Sequence, residues 1–427
     1  MRPIRSLAAV LCVCLVTGCG GGSPASPREE DRPTAERPSD ATPSADPDAP
    51  TSWGPTQGEL ARAAEVVARW GPDRLAGQVI VGRYHGTDPA VPAALVRDLH
   101  LAGVSVTTEN VVDAEQVRAT TDAIAQAHAA DGREWPAVVG VDQEGGVVAH
   151  LRGIATDFPA FATAGAAVAS QGRDGERLVA DAARSTALEL RGLGFTWVFA
   201  PVADVTIGVA DPTIGTRSPS TDPDLAARAV AAAVRGYDEA GVVSTTKHFP
   251  GHGSVTADSH EVLPLLRTPL PDLRVRDLLP FAAAVEARAP AVMMGHLDVT
   301  ALAPGVPSSQ APAVYDFLRD DLGFEGVAIT DSLGMGAALA QDYPAVRALQ
   351  AGADLLLMPV DPRETHRLVA EAIRSGEVSR KRIEEAAARV VALQLWQQRV
   401  ADGVPVPKDV VARAQQAAAS LTAVGSQ

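Results

Sequence analysis

The sequence predicts an α/β protein, a single (β/α)8 barrel of the TIM type preceded by a disordered N-terminal tether. Two observations lead there. Short apolar runs alternate with longer stretches of helical pattern rich in Ala, Leu, Val and Arg, the rhythm of a parallel sheet clothed in helices. Titratable residues also fall at the carboxyl ends of successive predicted strands, the face on which barrel enzymes assemble their sites.

Residues 1–18 read as a signal peptide. Arg2 and Arg5 form a charged start, and Leu7 to Val16 form an apolar core too short to span a bilayer as a helix. The segment runs into Val16-Thr17-Gly18-Cys19, which resembles the bacterial lipobox, so Cys19 is expected to carry lipid and to tie the chain to the outer face of the bacterial cell membrane. All three cysteines (Cys12, Cys14, Cys19) lie here. The exported domain therefore has no thiol for a disulfide, a thiolate metal site or a nucleophile. Residues 19–52 are rich in Pro, Ser, Ala, Asp and Glu, bury too little to offset ordering entropy, and read as a flexible linker. Residues 53–427 form the barrel with its C-terminal helices. The chain carries a formal charge of −15 and no basic block, which argues against nucleic acid and against a membrane-surface patch.

Strands are predicted at 78–84, 103–107, 137–141, 195–201, 242–246, 291–295, 327–330 and 354–358. Helical patterns lie between them at 115–130, 174–193, 224–240, 277–286 and 311–321. Ser379 is an expected N-cap for a final amphipathic helix. A doubly wound open sheet is the competing architecture, but the first strand runs into Gly82-Arg83-Tyr84-His85-Gly86-Thr87, not a glycine-rich phosphate turn. Asp142 and Glu144 follow the third strand, Asp204 the fourth, Lys247 and His248 the fifth, His296 and Asp298 the sixth, and Asp331 the seventh. The opposite ends hold mostly Gly, Ala and Pro, and this one-sidedness argues for an enzyme.

The densest stretch is Lys247 to His260, read as a loop shaped by Pro250, Gly251 and Gly253. So many titratable groups must be paired or used, since each costs free energy to desolvate. Asp331, ending an apolar strand, suits a nucleophile or electrostatic anchor; a helix N-cap is the alternative. Asp258 stands two residues before His260, close enough to fix its tautomer and raise its basicity for proton transfer; a structural histidine is the alternative. Asp142, Arg217, Lys247 and His248 are donors and acceptors suited to gripping a small polar ligand.

The ordered set Asp142-Gln143-Glu144-Gly145-Gly146, APVADV at 200–205, IGTRS at 214–218, KHFPGHG at 247–253, Asp258-Ser259-His260 and ITDSLGM at 329–335 resembles glycoside hydrolase family 3. More narrowly, it is similar to the single-domain bacterial β-N-acetylglucosaminidases. The resemblance implies a barrel that removes terminal β-linked N-acetylglucosamine from peptidoglycan fragments or chito-oligosaccharides, with retention and with no metal or organic cofactor. It implies Asp331 as nucleophile, His260 as acid/base held by Asp258, and Asp142, Arg217, Lys247 and His248 as sugar-binding residues. Most retaining glycosidases use two carboxyls about 5–5.5 Å apart; here an Asp-His pair replaces one. The chain departs from the family pattern at Val147 and His150, which stand where arginines are usual, so His150, or Arg152 nearby, is expected to contact the sugar. A monomer with a carbohydrate substrate is expected. Three rivals stay open: a metal-dependent barrel hydrolase drawing on His248, His252, His260, His296 and Asp331, a non-catalytic sugar-binding lipoprotein, and a phosphorolytic variant of the family.

Overall fold

Eight parallel strands follow one another around a closed barrel in chain order. They are β1 (Ile80–Gly82), β2 (Gly103–Val106), β3 (Val138–Val141), β4 (Trp197–Val198), β5 (Val243–Phe249), β6 (Ala291–Met294), β7 (Val327–Thr330) and β8 (Leu356–Leu357). Each pairs in parallel with its sequence neighbour, and β8 pairs with β1 through Ile80–Leu356 and Val81–Leu357. The seam between β7 and β8 is closed by a bridge from Ile329 to Leu355 and by the Thr330 N–H donating to the Leu355 carbonyl at 3.0 Å. This computed structural model describes residues 46–425; the expected signal peptide, Cys19 and the linker as far as residue 45 lie outside the described residues.

The strands are buried along their length, as expected for a parallel sheet covered by helices. Along these strands Val104, Val139, Val198, Val292, Met293, Ile329 and Leu356 are buried, alternate residues facing the interior and the surrounding helices, all essentially inaccessible to water. Helices start where caps satisfy the first free N–H groups. Asp113 accepts from the Gln116 N–H at 2.8 Å, Asp222 from Asp224 at 2.9 Å, Asp361 from Arg363 at 2.8 Å, and Ser379 from Arg382 at 3.2 Å.

Several expected elements change at their ends. The linker had been drawn to residue 52, but residues 46–52 already pack on the barrel domain. Thr51 is buried, Pro50 bridges Thr56, and the Gly58 N–H donates to the Pro47 carbonyl at 2.8 Å. The fourth strand keeps only Trp197–Val198 of its expected run, because Pro201 brings no N–H to a ladder. The fifth strand is longer than expected. Lys247, His248 and Phe249 belong to β5 itself, so the stretch read as a loop from Lys247 begins three residues later, at Pro250. Full burial of β5 explains this: its backbone groups find partners on both sides, with Phe249 reaching Met294 past an irregularity after Thr246. The helix expected at 277–286 is found at Leu279–Glu286, preceded by a separate short helix at Leu270–Val275, and that expected at 311–321 runs as Pro312–Asp316 and then a wider-wound turn at Phe317–Asp321.

The helix Arg380–Gly403 plugs the amino-terminal end of the barrel. Its Gln394 accepts from Gln78 Nε2 at 2.8 Å and donates to the Pro136 carbonyl at 2.9 Å, and its Gln397 donates to the Gly241 carbonyl at 2.8 Å. This end carries a fully buried acid. Asp354, just ahead of β8, meets Arg319 at 2.6 Å and Arg382 and Arg389 at 3.1 Å each, and also accepts the Ala328 N–H at 3.0 Å. Burial opposes its ionisation, but the three guanidiniums win and hold its carboxyl below the usual range. The strict one-sidedness expected of polar residues therefore fails at Asp354, which closes the barrel and lies at the end away from the mouth.

Candidate active site

At the carboxyl ends of the strands lies a cleft of about 370 Å³, lined by Asp142, Glu144, His150, Arg217, Lys247, His248, His252, Ser259, His260 and Asp331, with Met335 and Met358 among its apolar walls. Its volume suits a small ligand. Residues expected to act together but scattered over almost two hundred positions thus share one hollow. Asp258 is not in the wall; it stands behind His260.

The floor is a charge cluster. Lys247, buried on β5, places Nζ 2.5 Å from Asp142 and 2.6 Å from Glu144. Arg217 meets Glu144 in a fork, Nε donating at 2.9 Å and Nη2 at 2.8 Å. Burial penalises every one of these charges, but the opposite charges prevail: Glu144 is held well below the carboxylate range, and Lys247 and Arg217 are held above their usual values. Local turns place the partners. The Gln143–Gly145 and Val148–Ala149 hairpin turns the chain after β3, so that the His150 N–H donates to the Asp142 carbonyl at 3.1 Å. Arg217 sits in a short turn shaped by Asp211, whose carboxylate accepts the N–H groups of Thr213 at 3.1 Å and Ile214 at 2.8 Å.

His248 follows Lys247 on β5. Its Nδ1 donates to Asp204 at 2.7 Å, and its ring presents Nε2 to Arg217 at 3.4 Å. Asp204 is fully buried after β4; burial works against its charge, and His248 and His252 overcome it and lower its pKa. Asp331 stands at the end of β7. Its own N–H donates to the Met294 carbonyl at 2.9 Å, and its carboxylate accepts the Ser332 N–H at 2.7 Å. Burial again opposes ionisation, but His248, His296, the Ser332 N–H and Lys247 keep this carboxyl below its ordinary value and ionised at neutral pH. No helix starts at Asp331, so the N-cap alternative does not apply.

Across the cleft, Asp258 accepts both the backbone N–H of His260 at 2.9 Å and its Nδ1–H at 2.7 Å. His260 is 63% exposed. The two bonds fix the tautomer, leaving Nε2 as the nitrogen available to exchange a proton. Asp258 is partly desolvated, and the two donors from His260 more than compensate and lower its pKa.

His150 lines the cleft, with its Nδ1 paired to Thr108 Oγ1 at 2.8 Å. Arg152 does not take that place. It donates to the Gly146 carbonyl and faces Asp157 at 3.6 Å on the surface. Val147 is 75% exposed and also points away. The sequence reading places Glu144 and Asp204 at the strand ends and His252 in the rival metal set, but assigns none of them a part in the sugar site. The signal for them was position: each follows an apolar strand closely, and a charge buried there must have a partner. The imidazoles named for a metal each have partners already: His248 has Asp204, His252 has Ser259 at 2.9 Å, and His296 has Ser309 at 2.6 Å and the Ser332 carbonyl at 3.0 Å. Among the described residues no three His, Cys, Asp or Glu side chains converge as metal ligands.

The lowered carboxyl pKa values predict how stability responds to acid. A carboxyl depressed by folding stabilises fully above its unfolded value and loses that contribution as pH falls toward its folded one. For Glu144 the window runs from 4.5 down to about 2. The urea midpoint should therefore fall steeply across this range. In Glu144→Gln it should fall less steeply, whatever that variant's stability at neutral pH. Equal slopes would mean that Lys247 and Arg217 do not hold this carboxylate.

A closed parallel barrel with titratable side chains gathered at the carboxyl ends of its strands is the plan of a barrel enzyme. Residues 77–393 match the N-terminal domain of glycosyl hydrolase family 3. The chain belongs to that family, and it is a glycoside hydrolase. It is 39% identical over 262 residues to a β-hexosaminidase of Stenotrophomonas maltophilia (strain K279a), covering 60% of this chain and 76% of the relative. It is 32% identical over 409 residues to β-hexosaminidase LpqI of Mycobacterium tuberculosis, covering 92% of this chain and 97% of the relative. Its fold superposes on a family 3 β-N-acetylglucosaminidase from Paenibacillus sp. str. FPU-7 with a TM-score of 0.75 and 29% identity, over 83% of this chain and 68% of that one.

Proposed function

We propose that the protein is a retaining exo-β-N-acetylglucosaminidase that hydrolyses terminal β-linked N-acetylglucosamine from peptidoglycan fragments or chito-oligosaccharides. The observation that carries this reading is the meeting of Asp331 and His260 in one cleft above the Lys247, Arg217, Asp142 and Glu144 cluster. The names of the relatives support the sugar. In the first step the ionised Asp331 attacks the anomeric carbon while His260 gives its Nε2 proton to the departing oxygen. In the second, His260 takes a proton from water, which releases the sugar with its original configuration. Asp142, Arg217, Lys247, His248 and His150 hold the hydroxyls. No cofactor enters these steps.

Purified protein assayed on aryl β-N-acetylglucosaminide and aryl β-glucoside should favour the former by at least about 100-fold in kcat/KM, the discrimination expected of a site built around a polar group. The first-formed sugar, followed by NMR, should be the β-anomer. An α-anomer first, or equal rates on both substrates, would reject the proposal. A rate that rises with added phosphate and yields a sugar phosphate would assign the phosphorolytic reaction instead.

The chain is further proposed to act as a monomer at the outer face of the membrane, held by lipid on Cys19. No helix of the described residues is long and apolar enough to cross a membrane. Cys19→Ser should move the protein from the membrane fraction to the soluble one; an unchanged distribution would reject the anchor.

A further inference from the structure

The turn that carries Asp258 and His260 is useful only if it is held in register with Asp331, because proton transfer and bond cleavage share one transition state. The His260 side chain is exposed, and its imidazole is held through Asp258 beside it. One neighbour is buried: Ser259 is 2% accessible, between two residues that are not. Its hydroxyl meets His252 Nε2 at 2.9 Å. Its carbonyl accepts the Ala337 N–H at 3.2 Å, and the His260 carbonyl accepts the Gly336 N–H at 3.0 Å. Gly336 and Ala337 lie five and six residues beyond Asp331 on the same loop. Gly336 permits the approach, since a Cβ there would stand 2.6 Å from the Glu261 carbonyl oxygen and 2.8 Å from that of His260.

His252 is itself fixed. Its backbone N–H donates to Asp204 at 2.6 Å, and the same carboxylate holds His248 on the cleft floor. Yet His252 Nδ1 is buried without a partner. Such a nitrogen is costly, and an apolar ring would fill the space without the penalty. A histidine here makes sense through what its other nitrogen does. We infer that His252 is a positioning residue: through Ser259 it locks the turn bearing His260 onto the loop bearing Asp331, and through Asp204 it ties both to the sugar-binding floor.

This rests on the glycosidase reading above, and the test separates the two. His252→Phe keeps an aromatic ring, somewhat larger, and removes the bond to Ser259; Ser259→Ala removes the same bond from the other side and leaves the buried imidazole in place if His252→Phe folds poorly. Each should lower kcat/KM on an alkyl β-N-acetylglucosaminide, a poor leaving group, by about 10-fold or more, but by no more than about 3-fold on a dinitrophenyl one. In a His260→Ala background, His252→Phe should change either rate by less than about 2-fold, because there is no longer a proton donor to position. Equal losses on both substrates, or a further full loss in the His260→Ala background, would make His252 merely structural and overturn the inference. Absence of turnover by the wild-type protein on both substrates would instead reject the glycosidase reading itself.

Discussion

Replacing Asp331 with Ala is expected to lower turnover of an aryl β-N-acetylglucosaminide by at least about 10⁴-fold, the scale seen when a covalent nucleophile is removed. That is about 5.5 kcal/mol of barrier at 1.36 kcal/mol per tenfold. The position earns this weight in three ways. The carboxylate stands at the end of a rigid strand, with its own N–H tied to Met294. The Ser332 N–H fixes one oxygen, and the surrounding imidazoles and Lys247 keep it charged. Binding should survive the change, because the cluster of Lys247, Arg217, Asp142 and Glu144 is built without Asp331. Calorimetry with N-acetylglucosamine against Asp331→Ala would check this. Retention of more than a few per cent of the wild-type rate would remove Asp331 from the chemistry.

His260→Ala is expected to act differently on different substrates. General acid catalysis contributes typically about 10²–10⁴-fold, and only where the leaving group needs a proton. An alkyl glycoside should lose that factor. A dinitrophenyl glycoside departs as a stable anion and should keep most of its first step. Its second step would then be slow, because water has lost its base. Added azide needs no base and should restore the rate, giving a β-glycosyl azide. Stopped-flow measurement of the first turnover against the steady state reads both effects. Equal loss on the two substrates, with no response to azide, would place the proton donor elsewhere. Asp258→Asn should follow the same pattern more weakly, since the imidazole would keep its place and lose the carboxylate that accepts its Nδ1–H.

The barrel was readable because its strands announce themselves as apolar runs at regular intervals, and β2, β3, β6 and β7 lie within a residue of where they were expected. The ends were harder. Lys247 and His248 read as loop because charged side chains suggest exposure, but the ladder of β5 buries them and Asp142 and Glu144 neutralise the lysine. Periodicity carries no information about partners a hundred residues away. For the same reason Glu144, Asp204 and His252 went unassigned: each owes its importance to a contact distant in sequence. Asp258 and His260 were visible together because their pairing is local, two residues apart. The helix expected from residue 277 starts two residues later, at Leu279, and the Asp277 carboxylate instead accepts from Ser254 and Arg276 beside Gly251.

The node at Asp354 bears on how the polypeptide reaches this form. Two of its three cations, Arg382 and Arg389, come from the final plug helix, whereas Arg319 comes from well before β8. A nascent chain that has emerged only as far as residue 375 has every stave of the cylinder but only Arg319 to meet this acid, and it lacks the helix that supplies the other two cations and covers that end. Maturation therefore awaits the last fifty residues.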